Sequence, residues 1–326
     1  MGMLVEGQWQ DVWYDTASSK GRFVRESAQF RNWVTADGSA GSTGNGGHAA
    51  ASGRYHLYVS LACPWAHRTL IMRALKGLES HIDISVVSPI MLDQGWTYNR
   101  EEGSTGDILA DRQFHHEIYT AARSDYTGRS TVPILWDKQL GTIVSNESAD
   151  IIRMLNSAFN DITVNDRDFY PGALRADIDA WNERIYPAIN NGVYRAGFAT
   201  GQEAYEEAYA EVFAELDHLD DHLADNRYLL GAALTEADIR LFTTLIRFDA
   251  VYHGHFKCNR QRLEDYQHLP GYVRDIYQLP GVAATVDFDH IKRHNYASHH
   301  TINTTGVVPV GPDIDYASPP SRDQLC

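Results

Sequence analysis

The sequence predicts an α/β domain followed by an all-α domain. Strand and helix patterns alternate between residues 54 and 160, and no strand pattern follows residue 172. Beyond that point, apolar residues recur at helical spacing, as they do along one face of residues 202–224. A chain of 326 residues is long enough for two domains of ordinary size.

Residues 1–53 are predicted to be an N-terminal extension that leads into the first domain. Its second part, residues 35–53, is rich in Gly, Ser and Ala, which is typical of a flexible connection. The first residues lack the basic and apolar segments of a signal peptide. No apolar run is long enough to cross a bilayer, so we expect no membrane association.

The first domain, over residues 54–160, is predicted to begin with a strand, a helix and a second strand. Residues 54–60 and 82–88 have strand patterns, and residues 64–76 between them have a helical one. Two strands joined by a helix pair in parallel through a right-handed crossover. A polar insertion over residues 89–130 follows, and we expect a helix in it around Asp111 to Ala121.

The domain is predicted to end with an antiparallel hairpin and a helix. TVPILWD (131–137) and TIVS (142–145) have strand patterns and are separated by a short turn. The helix lies in the stretch SNESADIIRMLNSAF. The result is a small mixed sheet flanked by helices.

The second domain, over residues 173–326, is predicted to consist of helices and a C-terminal tail. Thr235 and Asp238 have the spacing of an N-cap residue and its capping-box partner. The expected helices cover residues 173–191, 202–224, 235–250 and 270–278.

The charge and the cysteines exclude several classes of function. A formal net charge of −15 argues against a surface for nucleic acid or anionic lipid. Arg outnumbers Lys by 23 to 5 and Asp outnumbers Glu by 28 to 15, as in a GC-rich genome or on a salt-adapted surface. Three widely spaced cysteines, Cys63, Cys258 and Cys326, argue against a disulfide framework and for a reducing cytoplasm.

Cys63 lies where the first strand ends and the first helix begins. Pro64 suits the first helical position, so the sulfur of Cys63 faces unpaired N–H groups and the positive end of the helix dipole. This position favours the nucleophilic thiolate. The sequence CPWA contains no second cysteine to resolve a mixed disulfide. An external thiol such as glutathione is therefore expected to do so.

Five long strings of this sequence are distinctive: SLACPWAHRTL, WDKQLGTIVSNES, NNGVYRAGFA, TEADIRLFTTLIRFD and DIYQLPG. They resemble the Xi class of glutathione transferases, the glutathionyl-hydroquinone reductases, and the match extends from WYDT and FRNW to TINTTG. The resemblance implies a thioredoxin-like N-terminal domain, an all-α C-terminal domain and a homodimer. It also implies that glutathione is the cosubstrate and that the substrates are glutathionylated quinones or hydroquinones.

The resemblance also implies the residues that bind glutathione. Pro133 is the expected cis proline, and it lets Val132 offer its backbone N–H and C=O to a peptide-like ligand. Glu147 and Ser148 begin a helix whose amides and hydroxyl hold the γ-glutamyl group.

Two further residues gain a role only from the resemblance. Trp96 is expected to pack on glutathione, and Arg129 is expected to pair with its charge. From the sequence alone, Trp96 is interpreted as a loop anchor and Arg129 as a solvated surface side chain.

The same resemblance assigns tyrosines to the reaction. Tyr194 is the expected proton donor to the hydroquinone ring, because the ring carbon that loses sulfur needs a proton. Tyr252 is expected to face the sulfur of Cys63 and to favour its thiolate. The family often has two adjacent tyrosines near the C-terminus, whereas this chain has Asn295 followed by Tyr296.

Alternatives remain open at this stage. An Omega-like thioltransferase or dehydroascorbate reductase would share Cys63 as its reactive thiol. A non-catalytic thiol-binding module would catalyse no reaction. If the surface is salt-adapted, γ-glutamylcysteine or another γ-glutamyl thiol could replace glutathione. No metal site is predicted, because pairs such as His290 and His294 lack a third ligand in a known motif.

Overall fold

The structure, a computed structural model, describes residues 2–325 and divides into two units. The first unit contains the residues up to Trp13, Glu26–Arg167 and Ala284–Ser298. The second contains Tyr14–Arg25, Asp168–Ala283 and the residues from His299 onward. Cys326 lies outside the described residues. Among the described residues, no helix is long and apolar enough to cross a membrane.

The strands lie in the first unit. In chain order they are β1 (Met3–Val5), β2 (Gln8–Gln10), β3 (Val34–Thr35), β4 (His48–Ala49), β5 (Tyr55–Val59), β6 (Asp83–Val86), β7 (Gly128–Arg129), β8 (Ile134–Asp137) and β9 (Thr142–Ser145).

The helices occur in both units. In chain order they are α1 (Pro64–Leu75), α2 (His116–Ala122), α3 (Ser148–Ser157), α4 (Asn160–Thr163), α5 (Arg175–Ile185), α6 (Gly192–Gly197), α7 (Gln202–His222), α8 (Glu236–Leu245), α9 (Leu269–Tyr277) and α10 (Phe288–Ser298).

The central sheet of the first unit has the strand order β6-β5-β8-β9. Strands β5 and β6 are parallel, whereas β8 pairs antiparallel with both β5 and β9. Every residue of β5 is buried, which agrees with a strand at the centre of a covered sheet. The predicted order of strands and helices in this domain is therefore confirmed.

The predicted flexible connection over residues 35–53 is partly wrong, because β3 and β4 at its two ends pair in parallel. The buried carboxylate of Asp137 holds this region in place. It accepts hydrogen bonds from His48 Nδ1 at 2.9 Å and from Arg54 Nη2 at 2.6 Å. Arg54 also donates to the carbonyl oxygen of Ala49 at 3.2 Å. The small residues allow the backbone to turn tightly. The carboxylate of Asp137, which is distant in sequence, then holds the segment in place.

The N-terminal extension is divided between the two units instead of forming a separate segment. Strand β1 pairs antiparallel with β2 and with β7, which lies at the end of the insertion. Residues 14–25 belong to the second unit. Helix α10, which the sequence analysis did not predict, belongs to the first unit although it lies near the C-terminus.

The second unit contains helices α5 to α9. The predicted helix over residues 173–191 is α5 followed by a π-helical turn at Tyr186–Asn190. The predicted helix over residues 235–250 is α8 followed by a π-helical turn at Phe248–Tyr252. π-Helical turns often occur at functional sites, because they change the direction of nearby side chains.

The predicted capping box of α8 is present. The backbone N–H of Thr235 donates to Asp238 Oδ2 at 2.8 Å. Asp238 Oδ1 also accepts hydrogen bonds from the backbone N–H of Leu229 at 2.8 Å and from Tyr272 Oη at 2.9 Å. Burial raises the pKa of this carboxyl group. Asp238 therefore joins the start of α8 to α9 and to the preceding loop.

Candidate active site

Cys63 is the N-cap residue of α1, as the sequence predicts. Its backbone is extended, and its carbonyl oxygen accepts the first helical hydrogen bond from the N–H of His67 at 3.0 Å. The thiol is partly exposed. Pro64 occupies the first helical position, where the missing N–H costs no hydrogen bond.

Val132 lies beside the thiol. The Sγ atom of Cys63 is 3.7 Å from the carbonyl oxygen of Val132, and the bond from Val132 to Pro133 is cis. The pairing of Tyr58 with Ile134 brings the end of β5 and the start of β8 together. The structure therefore places three of the predicted site residues at one end of the central sheet.

A buried chain of hydrogen bonds holds the residue before Val132. His115 Nε2 donates to the carbonyl oxygen of Thr131 at 3.0 Å, and Tyr119 Oη donates to the same oxygen at 2.8 Å. Tyr98 Oη donates to His115 Nδ1 at 2.9 Å. Burial lowers the pKa of His115 from 6.5 to about 4, so the ring is neutral at physiological pH. The sequence analysis did not predict this contact of His115, because nothing in the local pattern indicates it.

Glu147 and Ser148 lie together at the start of α3. Glu147 is the N-cap residue, and its Oε1 atom accepts a hydrogen bond from the N–H of Ala149 at 3.0 Å. Ser148 Oγ lies 3.5 Å from the same oxygen. The guanidinium of Arg68 donates to Ser148 Oγ at 3.4 Å. The sequence analysis did not single out Arg68, whose side chain is almost fully buried.

Trp96 lies against α10. Its ring stacks on that of His294 with centroids 4.6 Å apart, and only 8% of Trp96 is exposed. His294 Nδ1 donates to the carbonyl oxygen of Pro89 at 3.0 Å. The N–H of Met91 donates to Ser298 Oγ at 3.0 Å. Helix α10 is thus attached to the start of the insertion, and it carries Tyr296 two residues after His294.

Asn295 and Arg129 both bind backbone carbonyl groups. Asn295 Nδ2 donates to the carbonyl oxygen of Ile291 on the same helix at 2.8 Å. Arg129 Nη1 donates to the carbonyl oxygens of Val12 at 2.6 Å and Gly2 at 3.3 Å. Arg129 is therefore a buried anchor for the N-terminal strands, and its role towards glutathione stays a prediction.

Tyr194 and Tyr252 lie together in the second unit. Their hydroxyl oxygens are 3.4 Å apart, and their rings meet edge to face. Tyr194 is on α6, and Tyr252 is the last residue of the second π-helical turn. A third group, the guanidinium of Arg25, lies over the ring of Tyr194.

No group of three or more His, Cys, Asp or Glu side chains within residues 2–325 is arranged to hold a metal ion. His290 contributes to no such group and is buried against Gly103.

Two family descriptions match the chain. "Glutathione S-transferase, N-terminal domain" matches residues 62–158, and "Glutathione S-transferase, C-terminal domain" matches residues 202–275. These matches include the thiol, strands β6, β8 and β9 of the central sheet, and helices α7 and α8. The chain belongs to the glutathione S-transferase family.

Full-length relatives define the class within that family. YqjG of Escherichia coli, a glutathionyl-hydroquinone reductase, is 57% identical over 324 residues and covers 99% of both chains. Its glutathione-bound structure has a TM-score of 0.91, again over 99% of both chains. PcpF of Sphingobium chlorophenolicum, also a glutathionyl-hydroquinone reductase, is 51% identical over 96% of both chains.

A Xi-class enzyme has a similar structure. The Xi-class glutathione transferase from Natrialba magadii is 49% identical, with a TM-score of 0.93 over 100% of this chain and 98% of the other. Within the family, the chain therefore falls in the Xi class.

Proposed function

We propose that the protein is a glutathionyl-hydroquinone reductase. One glutathionyl-hydroquinone and one glutathione would give one hydroquinone and one glutathione disulfide. The observation that carries this proposal is a single thiol, Cys63, at the start of α1, with no second cysteine in the following turn. The printed functions of the relatives YqjG and PcpF supply the substrate class.

The glutathionyl part of the substrate binds along the start of α3 and the strand β8. Val132 offers backbone N–H and C=O groups to the cysteinyl residue of glutathione, beside the thiol of Cys63. Glu147 and Ser148 bind the γ-glutamyl group through a carboxylate, a hydroxyl and the free amides of the helix. Trp96 and Arg129 complete the proposed glutathione site.

In the first step, the Cys63 thiolate attacks the glutathione sulfur of the thioether. The new bond joins the two sulfur atoms, and the bond between sulfur and the ring carbon breaks. The electron pair of the broken bond takes a proton from Tyr194 at the ring carbon, and the hydroquinone leaves. Tyr252 stabilises the thiolate by hydrogen bonding. Tyr296, on α10, is the tyrosine that this chain keeps where the family often has two adjacent ones.

In the second step, the thiolate of glutathione attacks the mixed disulfide at its glutathionyl sulfur. Glutathione disulfide leaves, and Cys63 is released as the thiolate. The proton of the incoming glutathione thiol returns to Tyr194. The cycle therefore balances without a metal ion or a second protein cysteine.

The thiol cosubstrate and the cellular compartment are part of the same proposal. Glutathione is the cosubstrate, and its presence in the structure of the relative YqjG supports this choice. We place the enzyme in a reducing cytoplasm, because its described cysteines, Cys63 and Cys258, are thiols. The homodimer remains an expectation from the family.

The test is glutathione-dependent release of menadiol from glutathionyl-menadiol. The wild type should turn over, Cys63→Ala should not, and Cys258→Ala should keep the wild-type rate because Cys258 is buried away from solvent. Circular dichroism of each variant checks that it has folded. Turnover of small glutathionyl disulfides without menadiol release would instead favour the Omega-like thioltransferase. Turnover only with γ-glutamylcysteine would replace glutathione as the cosubstrate.

A further inference from the structure

Arg25 lies over the ring of the proposed proton donor. Its guanidinium carbon is 4.6 Å from the centroid of the Tyr194 ring. Its Nε atom donates to Asn191 Oδ1 at 2.8 Å, and Asn191 immediately precedes α6, the helix that carries Tyr194. The guanidinium of Arg25 and the phenol ring of Tyr194 are thus both held at helix α6.

The segment that carries Arg25 is itself fixed in the second unit. The N–H of Thr200 donates to the carbonyl oxygen of Gly21 at 3.0 Å, and Arg22 pairs with Glu207 on α7 at 2.5 Å. Arg25 also lies 5.1 Å from the centroid of the buried Phe23 ring. The position of the guanidinium therefore does not depend on Tyr194 alone.

A cation in this position affects the acidity of a phenol. When a tyrosine gives up its proton, negative charge spreads from the oxygen into the ring. A guanidinium over the face of the ring is attracted to it, and more strongly once the ring carries charge. Arginine keeps its positive charge at every pH at which the enzyme would work.

Other described groups also lie around the ring of Tyr194. Tyr252 is a titratable neighbour, with its hydroxyl 3.4 Å from that of Tyr194. The rings of Phe198 and Phe256 also pack near Tyr194 and do not titrate. Arg195, the next residue along α6, is paired with Glu207 and Glu211.

We propose that Arg25 is a positioning residue that stabilises the phenolate of Tyr194 and thereby assists protonation of the hydroquinone ring. This inference rests on the proposed function, because it needs Tyr194 as the proton donor. It adds a residue from the N-terminal extension to the reaction. Arg25 acts through Tyr194 and has no assigned contact with the substrate.

The first measurement is kinetic and compares Arg25→Gln with Arg25→Lys and Lys20→Gln. Arg25→Gln should lower kcat for menadiol release about tenfold. It should leave reduction of a small glutathionyl disulfide unchanged, because that reaction needs no proton on carbon. Arg25→Lys should recover part of kcat by restoring the charge. Lys20→Gln, which removes a charge from an exposed position of the same segment, should have the wild-type kcat.

The second measurement does not depend on turnover. The ultraviolet absorbance of tyrosinate is followed against pH in the wild type and in Tyr194→Phe, and the difference reports ionisation of Tyr194. The same pair of titrations is made in the Arg25→Gln background. The midpoint should move to higher pH by about one unit, and Arg25→Lys should move it less. Tyr252 is kept in every variant, so its effect is common to all.

The outcomes separate the inference from the proposed function. An unchanged midpoint in a folded Arg25→Gln, or an equal shift in Lys20→Gln, overturns the role of Arg25. If the wild type does not release menadiol, the proposed function fails, and the titration still decides whether Arg25 acts on Tyr194. If Arg25→Gln does not fold, Arg25→Met, which keeps the aliphatic stem and removes the charge, supplies both readings. A wild-type kcat and midpoint in that variant then overturn the role of Arg25.

Discussion

The Sγ atom of Cys63 lies 3.7 Å from the carbonyl oxygen of Val132, although 69 positions separate the two residues in the chain. The antiparallel register of β5 and β8 produces this relationship, because it pairs Tyr58, near the end of β5, with Ile134, the first residue of β8. The thiol and the peptide groups that would align a glutathionyl substrate thus meet at one edge of the sheet. A slip of one residue would turn the side chains of β8 to the opposite face.

The two described thiols should differ greatly in reactivity. Burial raises the pKa of Cys258 to about 12, so only about one molecule in 10⁵ carries its thiolate at neutral pH. Cys63 is partly exposed at a helix start, where a thiolate is favoured. Brief treatment of the native protein with iodoacetamide should alkylate Cys63 and leave Cys258 unmodified, as measured by peptide mass spectrometry.

A denatured sample is the control for this labelling, because both thiols are exposed there and should react alike. Comparable labelling of Cys258 in the native protein would contradict the buried position that the structure gives it.

Ser148 should contribute to glutathione binding more than to turnover. Its hydroxyl lies between Glu147 Oε1 and the guanidinium of Arg68, at the start of α3. Ser148→Ala removes one hydrogen bond to a charged γ-glutamyl group, so KM for glutathione should rise about tenfold. The kcat value should change little, because the thiol chemistry at Cys63 is untouched. Steady-state kinetics at varied glutathione measure both constants.

Ser157→Ala is the matched control, because Ser157 is exposed at the other end of the same helix. It should have the wild-type KM. A large fall in kcat with unchanged KM in Ser148→Ala would mean that the hydroxyl acts in the chemical step instead.

His115 should make the stability of the protein sensitive to acid. Its pKa is about 4 in the folded protein because the ring is buried, against 6.5 when it is exposed. As pH falls below 6.5, the unfolded chain binds a proton that the folded protein does not, so the free energy of unfolding decreases until about pH 4. This one group contributes a loss on the order of 3 kcal/mol across that range.

His115→Gln should remove that part of the pH dependence, because an amide can still bond to Thr131 and Tyr98 without titrating. His300→Gln, at an exposed position, should leave it unchanged. Urea titrations between pH 7 and about pH 4 give the free energies. Parallel curves for wild type and His115→Gln would show that the ring is accessible to protons in the folded protein.

The sequence predicted the central sheet and the position of the thiol, because both follow from local patterns. Strand alternation, the proline after Cys63 and the short turn before Thr142 each lie within a few residues of the feature that they specify. The capping box of α8 is also local, since Thr235 and Asp238 are three positions apart.

The remaining features depend on contacts between distant parts of the chain. Asp137 orders the segment around His48 from 89 positions away, and no pattern in residues 35–53 indicates this partner. His294 binds the carbonyl oxygen of Pro89 from 205 positions away, which places α10 in the first unit. The sequence analysis considered His294 only as a metal ligand, whereas the structure stacks its ring on Trp96.

Asn295 occupies a position where the family often has a tyrosine, and its surroundings indicate what a tyrosine would do here. Only 3% of Asn295 is exposed, and its side chain bonds to the carbonyl oxygen of Ile291. A phenol ring is much larger than this amide, so Asn295→Tyr should overpack the buried face of α10. We expect a loss of about 1–3 kcal/mol in the free energy of unfolding.

The same substitution should not raise the rate of menadiol release, because a larger ring at a position only 3% exposed disturbs the packing of α10. Asn295→Ala is the comparison, since it removes the hydrogen bond to Ile291 without adding volume and should cost only about 1 kcal/mol. Urea unfolding and steady-state turnover of the two variants test the expectation. A stable and faster Asn295→Tyr would mean that the pocket around α10 accepts the family tyrosine, and that Asn295 limits activation of Cys63.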